Sequence, residues 1–206
     1  MPLGAPDDQL LPSASDADLG QAHAEAIQLS RRSFLGLALG SAFTLGSGSS
    51  AFAGVLAGLP ERRIRLRNVH TGDSFDGVYW RGGKYQQAAL SRLSWVLRDF
   101  RAGEVKAFDP HLFDLLGTVA QRMGSNEPFE VVSGYRTRAT NKAKRRGDGD
   151  VARNSYHVRA QAIDIYLPGR SVRGIHHVAV KMAAGGVGFY PQSGFVHLDT
   201  GPVRTW

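Results

Sequence analysis

From Arg63 to Val69 the chain alternates strictly: Arg63, Arg65 and Arg67 on one side, Ile64, Leu66 and, out of step, Asn68 on the other. That period of two predicts a half-exposed strand. His70-Thr71-Gly72-Asp73 reads as a turn, and Gly77-Val78-Tyr79-Trp80 followed by Gly82-Gly83 as its short hairpin partner. The period then changes. Tyr85, Ala89, Leu93, Val96, Leu97 and Phe100 recur at helical spacing, predicting an amphipathic helix over 84–101. Asp109-Pro110 has the form of an N-cap followed by proline at the first helical position, and Leu112, Leu115, Leu116, Val119 and Met123 carry that second helix to Gly124. Phe129 to Ser133 is a short strand. Ser171 caps a third helix through Val172, Ile175, Ala179 and Met182, ended by Gly185-Gly186; Val187–Tyr190 and Phe195–Asp199 form a hairpin around Pro191-Gln192-Ser193-Gly194. Lys142 to Arg153 is charged and aperiodic, and reads as an exposed loop. The pattern predicts an α+β fold, a small antiparallel sheet with helices packed on one side.

Two of these strands carry chemistry. In Ala162–Leu167, alternation puts Ala162, Asp164 and Tyr166 on one face and Ile163, Ile165 and Leu167 on the other. A carboxylate in so apolar a run is costly to bury unless it is paired or bound to a metal. His157 precedes it by seven positions, and His197 and Asp199 share a face of the later strand. Two histidines and one aspartate are a three-ligand zinc set that leaves a fourth position open, the catalytic arrangement. On pattern alone, His157 and Asp164 are equally an ordinary structural pair. There is no cysteine, so a metal here is held by His and carboxylate.

Residues 1–53 contain five acids and two basic residues, Arg31-Arg32, ahead of a Gly- and Ser-diluted apolar stretch that ends in Ala51-Phe52-Ala53. This reads as a twin-arginine (Tat) export signal cleaved before Gly54, which makes 54–206 the mature domain and the Tat machinery a partner. The other reading is an N-terminal anchor helix. The stretch is broken by Gly40, Ser41, Gly46, Ser47 and Gly48 and falls short of the roughly 20 apolar residues a membrane span needs. The whole chain has net charge +7; removing the leader leaves 23 basic and 13 acidic residues, a net +10. Such a surface attracts anionic polymers. For an exported protein that means anionic cell-wall material rather than nucleic acid.

The motif Ser155-x-His157-x-x-Ala160-x-Ala162-x-Asp164, preceded by Ser133-Gly134-Tyr135-Arg136 and followed by Gly185-Gly186-Val187-Gly188-Phe189-Tyr190-Pro191 and His197-Leu198-Asp199-Thr200-Gly201, resembles the zinc D-alanyl-D-alanine carboxypeptidase/dipeptidase superfamily. The likeness is to its murein endopeptidase branch, over about Leu66 to Trp206, with Ala160 where many relatives carry glycine. The resemblance implies a hedgehog/DD-peptidase-like fold and an exported, periplasmic or wall-facing zinc peptidase acting on peptidoglycan. It also implies zinc on His157, Asp164 and His197, with Arg136 facing the scissile carbonyl or a substrate carboxylate. Relatives keep a proton-accepting residue three or two positions before the late histidine; here those positions are Gly194 and Phe195. Asp199 is the substitute, either as proton shuttle or as a carboxylate fixing the tautomer of His197. His70, His176 and His177 read as turn, packing or surface residues, and Lys142, Lys144, Arg145 and Arg146 as a solvated face or a holder of wall polymer. Two rival functions are a non-catalytic wall-binding module on the same fold and a basic exported scaffold without metal.

Overall fold

In the computed structural model the alternation at the start of the pattern becomes β1 (Glu61–Asn68), with Ile64 and Leu66 buried. The structure describes residues 58–147 and 151–206; the expected leader, 1–53, lies outside them. β1 pairs antiparallel with β2 (Ser74–Arg81), which turns through Gly82 and Gly83, at φ of 57° and 79°, into the two-residue β3 (Lys84–Tyr85). That turn takes the start of the helix expected over 84–101, so α1 spans only Gln87–Val96. At its other end the chain bends at Asp99, whose buried carboxylate accepts N–H bonds from Arg101 (3.2 Å), Ala102 (3.4 Å) and Thr137 (2.8 Å). α2 (His111–Arg122) starts one residue later than expected, with Pro110 rather than Asp109 at its N-cap; the Asp109 carboxylate still accepts the His111 N–H at 3.1 Å. Gly124, at φ 58°, ends the segment.

After β4 (Phe129–Ser133) comes a helix, α3 (Arg138–Gly147), which takes the first part of the loop expected over 142–153; 151–153 are irregular as expected. The Thr137 hydroxyl accepts the Thr140 N–H at 3.0 Å and starts it. Asn141 is its one buried residue, so the helix has no apolar stripe for a periodicity search to find. A 3₁₀ turn (Tyr156–Arg159) leads into β5 (Ala162–Tyr166). The Ser171 hydroxyl accepts the Gly174 N–H at 3.1 Å and opens α4 (Val172–Met182). α4 stops at Ala183, in the left-handed region at φ 48°, rather than at the two glycines beyond it. β6 (Gly186–Tyr190) and β7 (Phe195–Asp199) form the expected hairpin, and β8 (Arg204–Thr205) returns beside β6.

Among the described residues these strands make one eight-stranded sheet in the order β3-β2-β1-β4-β5-β7-β6-β8. The α+β class holds, but the sheet is wider than expected and mixed rather than antiparallel. β1–β4 and β6–β8 are parallel pairs. The β1–β4 pair is possible because α1 and α2 lie between these strands in the chain, long enough for a crossover. Ile163, Ile165, Val196 and Leu198 turn to the core with Leu93, Val96, Leu116, Val119, Ile175 and Met182 from the helices. Each such buried side chain contributes about 1.5–3 kcal/mol. By alternation Asp164, His197 and Asp199 project from the opposite face, and the register sets Asp164 across from His197 and Ala162 across from Asp199. No helix among the described residues is long and apolar enough to cross a membrane.

Candidate metal centre

Gly134 begins the site. A β-carbon there would run into the backbone of Leu97, so only glycine lets the chain leave β4 this close to the end of α1. The Gly134 carbonyl accepts a hydrogen bond from Nδ1 of His157 at 2.7 Å. His157 is 1% exposed and sits on the 3₁₀ turn, where Ser155 Oγ accepts its backbone N–H. The turn closes at Ala160, in the left-handed region at φ 55°. That conformation is why glycine suits this position and alanine is strained in it.

A carbonyl can only accept, so Nδ1 of His157 carries the proton and Nε2 presents a lone pair. His197 is the mirror case. Its Nε2 donates to Asp199 Oδ2 at 2.9 Å, leaving Nδ1 bare. Those two bare nitrogens lie 3.2 Å apart, and Asp164 Oδ1 lies 3.2 Å from His157 Nε2 and 2.8 Å from His197 Nδ1. Three buried electron pairs thus converge on one point, which is repulsive unless a cation or a shared proton sits among them. The ligand atoms of His157, Asp164 and His197 all fall within 4.8 Å of one another, and this group can hold a metal ion. The charges act in the same sense. Burial would lower the pKa of His197, but the Asp164 and Asp199 carboxylates outweigh it and raise it to about 8. Burial would raise that of Asp164, and the two histidines hold it well below the carboxylate range. Burial dominates at His157 and favours its neutral, ligating form.

Asp199 is fully buried behind His197. Besides His197 it accepts from Arg204 (2.7 and 3.0 Å), from the Gly186 N–H (3.2 Å) and from the Gly201 N–H (2.8 Å). Arg204 and Trp206 were not legible as site residues. They reach the site because β8 lies along β6, and two glycines of β6 make room for them. A β-carbon on Gly186 would collide with Arg204 and Asp199, and one on Gly188 would come within 2.8 Å of the Trp206 ring. The alternating Gly186-x-Gly188 was the available signal. Trp206 lies 5.2 Å from the His197 ring and donates from Nε1 to the Tyr190 hydroxyl at 2.7 Å.

His157, Asp164, His197, Tyr190, Arg204 and Trp206 line a cavity of about 350 Å³ that also includes Arg136, Ser155, Tyr156 and Phe195. Arg136 is 7% exposed, donates from Nη2 to Ser155 Oγ at 3.1 Å and leaves Nε without a partner. Burial lowers its pKa, the mark of a guanidinium lacking a close counter-charge. Gly194 lies in the β6–β7 turn at φ 76°, and Phe195 offers the cavity only its ring. Among the described residues Asp164 is the one carboxylate in the lining. His70 binds the Val132 carbonyl at 3.0 Å and rests on Phe100, His176 packs on Phe189, and His177 is exposed; none of them lines this cavity.

A protein-family profile described as "Peptidoglycan L,D-endopeptidase MepK" matches residues 57–206. The chain is similar to the peptidoglycan L,D-endopeptidase MepK of Escherichia coli K12, 41% identical over 171 residues that cover 83% of this chain and 92% of that protein. It is also similar to the probable peptidoglycan L,D-endopeptidase MepK of Haemophilus influenzae Rd, 38% identical over 146 residues, 70% of this chain and 78% of that protein.

Proposed function

The chain belongs to the peptidoglycan L,D-endopeptidase MepK family, and we propose that it is an exported, zinc-dependent peptidase hydrolysing peptide bonds in the stem peptides or cross-links of peptidoglycan. The likeness to relatives described as L,D-endopeptidases points to an internal bond between an L- and a D-centre as the first to test. The observation that carries the reading is the convergence of three buried ligand atoms, from His157, Asp164 and His197, beside a guanidinium with no close counter-charge.

The donor set suits zinc. Tetrahedral zinc with bonds of about 2.0–2.1 Å spaces its ligand atoms by about 3.3 Å, close to the 2.8–3.2 Å seen here. Two imidazole nitrogens and one carboxylate are the wrong ligands for calcium, which wants six or more oxygens. When bound, the ion would supply Lewis acidity toward a carbonyl and a water of lowered pKa.

The chain's own residues do the rest. Asp199 keeps the proton of His197 on Nε2, so that Nδ1 stays available as a ligand. Of its two expected roles we assign it this one, since both of its oxygens are taken up by donors. Arg136, aimed by Ser155, has an unused Nε–H for the scissile carbonyl or a substrate carboxylate. Tyr156, Tyr190, Phe195 and Trp206 give the cleft apolar walls that weaken solvent screening of these charges. A second reading, a wall-binding module without turnover, draws on the lack of a carboxylate at 194 and 195.

Purified protein incubated with peptidoglycan should release peptide fragments whose masses identify the cut bond, and it should carry about one zinc per chain. Chelation should stop release and zinc should restore it. Full hydrolysis in excess chelator would overturn the metal mechanism. Binding to the wall with no fragments released would establish the second reading.

A further inference from the structure

Beside the cleft lies a second groove, of about 580 Å³, walled by α3 and the 3₁₀ turn. Arg138, Lys142 and Arg145 fall at i, i+4 and i+7 of α3 and so share one face of it, and Lys106, Arg153 and Arg159 complete a lining of six cations. Among the described residues no carboxylate forms an ion pair with Arg138, Lys142, Arg145, Arg153 or Arg159. Like charges at this spacing weaken a helix by a few tenths of a kcal/mol per pair, so the described residues give no folding reason for the arrangement.

Two further observations say what the groove takes. It adjoins the metal centre, since Asn154 and Ser155 line both cavities. A peptide lying across the ligands and past Ser155 therefore runs into it. Asn141, in its floor, is 3% exposed; its Nδ2 donates to the Ala152 carbonyl at 3.1 Å, while its Oδ1 has no donor. A buried unfilled acceptor calls for an N–H. A polyphosphate offers none, whereas a peptide carries both N–H groups and carboxylates.

We propose that this groove is a substrate subsite that binds the free carboxylates of the acidic peptide on one side of the scissile bond. It rests on the peptidase reading for the identity of that peptide, not for its chemistry. Selectivity follows: acidic stem peptides are favoured over those whose carboxylates are amidated.

The test is a binding titration in chelator, where nothing is cleaved, with an acidic stem peptide and its carboxamide twin as probes. The protein should bind the acid about tenfold more tightly than the amide, with the difference shrinking as salt rises. The double variant Lys142→Ala/Arg145→Ala should lose that preference while keeping its zinc content and far-UV circular dichroism. Both side chains are exposed, and alanine favours a helix. Equal affinity for the two peptides, no binding of either, or a preference that survives in the double variant would each overturn the proposal. So would a double variant that loses only inorganic polyphosphate binding. Turnover is read separately: a protein that shows the preference but releases no fragments when loaded with zinc leaves the subsite standing and removes the peptidase reading.

Discussion

His197 is held from behind by Asp199, and this bond decides which nitrogen of the ring is free. An asparagine at 199 presents an N–H where Nε2 now donates, inviting the proton onto Nδ1, the ligand position. Asp199→Asn should therefore weaken zinc binding about 10–100-fold, with excess zinc recovering most of the activity; metal titration and rate measured together check it. Retention of zinc with kcat down about 10²–10⁴-fold would make Asp199 the proton shuttle instead. Arg136→Lys keeps the charge but loses the planar fork. It should hold its metal and lose about 10²–10³-fold in kcat, and a variant with unchanged rate would take Arg136 out of the chemistry. His157, Asp164 and His197 were readable because strand alternation and a short motif decide which way they point. Arg204 and Trp206 were not. Their contacts depend on β8 folding back along β6, a long-range pairing that leaves no periodic trace in the two residues of that strand.

Elements matter here mainly through how their ends are pinned. Asp99, 2% exposed, ties the turn after α1 to the N–H of Thr137 at the start of α3. Burial pushes its pKa up, but hydrogen bonds from Thr140, Thr137 and Ala102 outweigh this and leave it lowered. A carboxyl whose folded pKa lies below its unfolded value of about 3.9 adds stability above that pH and loses it as pH falls through the folded value. Urea unfolding at about pH 7 and about pH 3 should show a decline that flattens in Asp99→Ala. At neutral pH that variant should cost about 1–3 kcal/mol, since it leaves a buried N–H unsatisfied. An acid decline identical in both proteins would show that Asp99 does not carry it. The same region shows where pattern reading stops. α1 and α2 were found by their apolar stripes, though α1 is cut short at both ends by turns that the stripe does not report. α3 buries one asparagine and no apolar side chain, and its order comes from the Thr137 cap, so composition alone made it look like a loop.

On the scale of the whole molecule the sheet divides the labour: one face is closed by helices and the other carries Asp164, His197 and Asp199. Cleavage of the proposed leader, residues 1–53, would raise the net charge from +7 to +10, and the proposed function needs the domain to act outside the cytoplasm. Arg31-Arg32 stand directly before Ser33-Phe34-Leu35, and the apolar stretch beyond is diluted by Gly40, Gly46 and Gly48. Export through the twin-arginine route predicts that replacing Arg31 and Arg32 with lysine keeps charge and hydropathy but traps the chain as an uncut cytoplasmic precursor, visible by fractionation and by mass. Normal export of that variant would remove the route. N-terminal sequencing of the protein outside the cytoplasm should begin at Gly54, after Ala51-Phe52-Ala53. An N-terminus still bearing the apolar stretch would mean that the segment is kept as an anchor, and the enzyme would then work at the membrane face of the wall rather than free within it.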